Sequence, residues 1–289
     1  MFFMSFLLVD PIAIGRADKH SMPHQTLMEM LVADLQDKKC FRDKNGDFHD
    51  INSWEGISLT QDGEVDSIDL DCYVDFRFFD DSDDEDNDDE DPDAEGVVRP
   101  GGSIDLQWIP SSVTDFSAPD LKLAGSIDTR TLPRELNDLN LENNRFSGTF
   151  NAAGLPQSVH ILNVSHNQLC GSLDLTSLPQ KLRVFDVSHN DFSGSINLSS
   201  LPTKLNALLL QDNRLSGSID LRFLPRKLLN CRLEQNKFEQ EVVVFASDRS
   251  RMSRVFLDNG KFQSFVDADG GKVPMNVSAN GKVVSLRIC

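Results

Sequence analysis

Two histidines stand 23 residues apart in the same wording, Ser165-His166-Asn167 and Ser188-His189-Asn190, and they are the first candidates for chemistry in this 289-residue chain. A histidine beside a serine can serve as base to a nucleophile, and paired histidines can hold a metal ion. Both readings lack a third group. No acid is spaced to orient either imidazole, and no P-loop, G-x-S-x-G or H-E-x-x-H run occurs. Asp267-Ala268-Asp269-Gly270 has the look of a calcium loop, but the remaining ligand spacing is missing. The five cysteines, Cys40, Cys72, Cys170, Cys231 and Cys289, follow neither a CxxC nor a Cys/His metal pattern, and their odd number is no disulfide framework. The expectation is therefore no catalytic residue, no metal site and no cofactor.

Charge narrows the partners. The chain carries a net charge of -18, which disfavours phosphate backbones and anionic membrane surfaces. Twelve of the acids lie between Asp80 and Glu95, so the remainder carries only -6. A run of like charge with so few apolar groups predicts a disordered segment. It reads first as a solvating loop, with a dock for basic segments or a low-affinity calcium sponge as the alternatives. No stretch reaches the roughly 18 apolar residues that cross a bilayer. MFFMSFLLV at the start is either a short signal-peptide core or an apolar segment packed on the body. The location is open between intracellular, slightly favoured, and secreted or cell-surface.

The histidines recur at that interval because everything around them does. Gly102, Gly125, Gly148, Gly171, Gly194 and Gly217 step by 23, as do Pro110, Pro133, Pro156, Pro179, Pro202 and Pro225. Asn144, Asn167, Asn190, Asn213, Asn236 and Asn259 keep the same step, each preceded by apolar residues in the pattern L-x-x-L-x-L-x-x-N. Such a period marks a solenoid, in which each coil buries an apolar face only by stacking on its neighbours. Side chains such as Leu205, Leu208 and Leu210 point inward; the asparagines are expected to form a ladder that satisfies buried backbone groups. Cys231 occupies an inward position and reads as a small buried hydrophobe.

This wording resembles the leucine-rich-repeat family over about residues 65–259, and F/L-S-G-S-I-D-L is similar to its plant-type and protist repeats. The resemblance implies an α/β-type repeat solenoid, a right-handed arc with a parallel concave β-sheet, mostly strands and loops with little helix. Trp54, Gly56 and Ile57 match part of the family's N-terminal cap, here expected to be helical, although Asn52 and Leu59 replace its two cysteines. The organisation expected is an apolar segment over 1–22, an N-terminal cap over 23–64, repeats over 65–259 interrupted by an acidic insertion at 77–101, and a C-terminal cap over 260–289.

The residues flanking the inward leucines face the concave side. One column runs Asp115, Asp138, Ile161, Val184, Ala207, Asn230, Ser253; the next Ser117, Asn140, Asn163, Asp186, Leu209, Arg232, Val255; the third Pro119, Glu142, Ser165, Ser188, Gln211, Glu234, Leu257. Acids gather on the first coils and an apolar patch in the middle. Ile161, Asn163, Val184, Asp186, Ala207, Leu209, Gln211 and Arg232 are the expected contacts for a protein or peptide partner. The alternative is a charge-driven assembly or chaperone-like factor that holds basic partners on the acidic insertion.

Overall fold

Three-residue strands separated by turns are what the repeat allows, and stacking them produces one sheet. The computed structural model describes residues 19–70, 75–76, 97–98, 100–246, 253–278 and 281–288. Strands Val65–Asp69, Asp115–Ser117, Asp138–Asn140, Ile161–Asn163, Val184–Asp186, Ala207–Leu209, Asn230–Arg232 and Ser253–Asp258 lie side by side and parallel. Ile57–Leu59 extends the sheet at one end, and the hairpin of Met275–Val277 and Val283–Ile288 extends it at the other, all antiparallel. Behind it a six-stranded ribbon, from Ala124–Gly125 to Lys237–Phe238, carries the phenylalanine or leucine that follows each asparagine. Phe146, Leu169, Phe192, Leu215 and Phe238 are all buried in one continuous core with the inward leucines.

The ladder has a repeating set of bonds. Nδ2 of Asn190 donates to the carbonyls of Val164, Val187 and Ser188, while its Oδ1 accepts from the amide of Leu169. Asn144, Asn167, Asn213 and Asn236 repeat this pattern in their own coils. Each carbonyl such as Val164 O or Val187 O accepts from two successive asparagines, so the coils are tied by an unbroken chain. The residue before each asparagine, including His166 (φ 53°) and His189 (φ 52°), adopts the left-handed conformation.

Asn259 is the exception and corrects the sequence reading. Asn230, Cys231 and Arg232 pair with Arg254, Val255 and Phe256, so the last coil holds one residue more than the 23 of its predecessors. Val255 and Leu257 therefore point inward and are fully buried, and the outward columns end on Arg254, Phe256 and Asp258 instead of Ser253, Val255 and Leu257. Asn259 falls off the ladder: it is exposed and donates to the carbonyl of Gly281 in the hairpin.

The aspartate or asparagine that stands where plant-type repeats have proline has a local role. Asp105, Asp128, Asn151, Asp174, Asn197 and Asp220 each accept from the backbone amide two residues on, at 2.9 to 3.1 Å, closing the turn on the convex side. The proline five residues beyond accepts an amide three residues later, as Pro179 does from Leu182.

At the N-terminal end the helix spans only His24–Leu31 and buries Leu27, Met28 and Leu31. Trp54 packs tilted against Phe41, with ring centroids 4.6 Å apart. The segment binds the first coils through Ser103 N to Asp34 O and Gln36 N to Gly101 O. Gly102 (φ 88°) is indispensable there, because a Cβ would collide with the Asp34 carbonyl. The acidic run, the first 18 residues, Cys72 and Cys289 lie outside the described residues. Among the described residues no helix is long and apolar enough to cross a membrane.

Candidate functional site

The strands alternate outward, inward, outward, so the concave face is read from their first and last residues. Ile161, Val184 and Ala207 are register neighbours, as are Asn163, Asp186, Leu209 and Arg232. Ile161 is exposed at 38%, and Val184, Ala207 and Leu209 are half-buried. Together they form an apolar stripe across adjacent coils.

Polar groups beside the stripe are tied to one another. Oδ1 of Asn163 accepts from the amide and hydroxyl of Ser165, at 3.1 and 2.7 Å, and its Nδ2 donates to Glu142 at 2.8 Å. Asp186 holds Ser188 in the same way. Both serines are buried, leaving neither available as a nucleophile. Gln211 is buried too, set beneath the concave surface and not exposed on it. Arg232 reaches along its strand to Oε1 of Glu234, at 2.7 Å from Nε and 2.6 Å from Nη2, with its guanidinium 5.5 Å from the Phe256 ring.

The two histidines do meet. Their rings stack with centroids 3.9 Å apart, on the flank of the sheet, and Nδ1 of His189 pairs with Asp212 at 2.8 Å. Asp267 spends Oδ1 on the amides of Asp269 and Gly271, an ordinary turn. Burial, with the Glu234 charge as a lesser cause, pushes the Cys231 thiol up to about 12, which makes it inert.

On the acidic coils, Asp115 and Asp138 are direct neighbours across two strands. Desolvation first, and then the Asp115 charge, raise the Asp138 pKa above its ordinary 3.8. A raised pKa means that the fold prefers the protonated form; its contribution is complete below pH 3.8 and lost as pH rises through the folded value. Asp138→Asn is accordingly expected to melt above the parent at neutral pH, and the difference should vanish at pH below 3.8 in thermal scans across pH.

The three N-x-S sequons differ in access. Asn163 is half-buried and bonded on the sheet, whereas Asn197 and Asn276 are exposed. Expressed through a secretory route, the chain is expected to carry glycans at Asn197 and Asn276 and none at Asn163, which peptide mapping by mass reads directly.

Sequence reasoning missed Glu234 and Asp258. Asp258 accepts from the amides of Gln235 and Asn236, closing the last coil. Val255, Phe256 and Leu257 are all apolar, so alternation could not reveal the shifted register there.

No family model matches the sequence, and no curated protein matches it either. Among solved structures it is similar to a TDR receptor, at 26% identity over 54% of this chain and 28% of that one, with a TM-score of 0.44. PEPR1-AtPEP1 is similar at 26% over 54% of this chain and 22% of that one, with a TM-score of 0.41. The BIR2 ectodomain from Arabidopsis thaliana is 18% identical over 80% and 98%, with a TM-score of 0.42. The chain spans less than a third of the first two proteins. At such scores the assignment rests on the coils themselves: their period, parallel sheet and asparagine ladder form a solenoid of the leucine-rich-repeat type.

Proposed function

We propose that the chain is a non-enzymatic binding module that takes a protein or peptide segment across its concave sheet. The observation that carries this is the stripe of Ile161, Val184, Ala207 and Leu209, held in register on adjacent strands and left partly open. The C-terminal hairpin continues the edge of the sheet, separated from the stripe by the strands Asn230–Arg232 and Ser253–Asp258. Exposed apolar surface framed by polar groups marks contact sites. The reading of a non-enzymatic module is supported by Ser165 and Ser188, the serines beside the two histidines, which are both buried and hydrogen-bonded.

The competing reading is electrostatic, with the acidic insertion holding a basic partner. Salt separates the two, because exposed charges more than about 10 Å apart are screened at 0.1 M and apolar contacts are not. Partner binding is expected to persist at high ionic strength and in a chain lacking the acidic run, residues 80–95. Loss of binding in both conditions would put the electrostatic reading in its place.

A further inference from the structure

Two neighbouring coils on the concave face leave acceptors without partners. In the coils of Asn163 and Asp186, the outward acceptor is matched by the serine two residues on, Ser165 or Ser188. The next coil places Leu209 in that position, and a leucine offers nothing to Gln211. Gln211 is 7% exposed and its Oε1 has no hydrogen-bond partner. The coil after that places Arg232, which takes Oε1 of Glu234 and leaves Oε2 unpartnered, in a side chain only 1% exposed. Leu209 and Arg232 are register partners, so Gln211 and Glu234 follow one another in a single column, about 4.8 Å apart at the backbone.

A buried carboxylate with an unpartnered oxygen is a cost that folds seldom carry. Both orphan atoms are acceptors, so the missing group is a donor. One of them carries charge, which favours a cation. The column borders the apolar stripe through Leu209, and Arg232 is 44% exposed at the rim, a long side chain able to swing aside. We propose that Gln211 and Glu234 form a subsite for a lysine or arginine side chain of a bound peptide whose neighbouring apolar residue lies on Leu209 and Val184. This rests on the concave reading above. The incoming ammonium or guanidinium donates to Glu234 Oε2 and Gln211 Oε1 and takes over from Arg232, which swings out into water, so that the glutamate still faces a single positive charge.

The test is selection of random linear peptides, displayed on phage, against the full chain at high salt, followed by titration of the best peptide obtained. The expected peptide pairs an apolar residue with a lysine or arginine. Exchanging that residue for norleucine should weaken binding about tenfold or more, as should Glu234→Gln in the protein. The two changes together should lose little beyond either one, since they remove the same interaction. Gln211→Leu reads the same subsite should Glu234→Gln fail to melt like the parent. Peptides without a basic residue, or basic peptides indifferent to both protein variants yet lost in Val184→Glu, overturn the subsite and leave concave binding standing. Recovery of no peptide, or only of peptides lost on deleting residues 80–95, overturns both.

Discussion

Asn190→Leu, a substitution that keeps the branched shape and heavy-atom count of the side chain, is expected to lower the stability of the chain by about 3 kcal/mol. The leucine takes from the amide of Leu169, in a buried position, the acceptor that Asn190 Oδ1 supplies. It also halves the bonding of the Val164 and Val187 carbonyls, each of which keeps one ladder asparagine. Because the coils interact with nearest neighbours only, the break sits in the middle of the stack and separates Asn144 and Asn167 from Asn213 and Asn236. Urea unfolding should show a lower midpoint, and a broadened transition if the two halves uncouple. Asn259→Leu supplies the contrast. That residue shares the spacing of the ladder but is exposed and bonded only to the hairpin, so its replacement should change stability by less than about 0.5 kcal/mol. Equal losses at the two positions would contradict the ladder as the main tie between coils.

The contrast between those asparagines also explains what a sequence can and cannot reveal. The period, inward leucines and ladder were legible because a solenoid repeats its physics at fixed spacing, and each residue type has a single job at its position. The stacking of His166 on His189 follows from the same arithmetic. Legibility ended where one residue was added. Nothing in Arg254-Val255-Phe256-Leu257-Asp258 distinguishes the two possible registers, and backbone pairing decides it. Burial in the third column was hidden for another reason. Ser165, Ser188, Gln211 and Glu234 follow inward residues and face the concave side, yet the side chains two positions before them fold over and cover them. That covering depends on which residue occupies the middle column, and a single-residue reading of columns ignores it. The convex Asp/Asn column was visible as a departure from plant-type wording, while its cause, acceptance of an amide two residues on, is a matter of turn geometry.

The second large effect concerns binding, and it uses two adjacent residues of one strand. Val184 and Phe185 are chain neighbours on opposite faces: Phe185 is fully buried beneath the sheet and Val184 is half-buried on the concave side. Val184→Glu should fold, since the new carboxylate can extend toward water, and its melting temperature should stay within a few degrees of the parent. A ligand lying on the stripe would then have to desolvate an unpaired charge, a penalty of several kcal/mol, so affinity for a peptide selected on the concave face should fall at least about a hundredfold. Phe185→Glu places the same charge in the core and should leave no cooperative melt at all. Leu209→Glu repeats the binding test one coil further on, but its carboxylate sits beside Gln211 and Arg232, so its effect should lessen for a peptide that brings a basic residue to that spot. The ordering expected in calorimetric titration is therefore loss with Val184→Glu, smaller loss with Leu209→Glu for basic peptides, and equal loss in both for peptides without a cation. Unchanged affinity in a well-folded Val184→Glu would remove the apolar stripe as the site and turn attention to the acidic insertion.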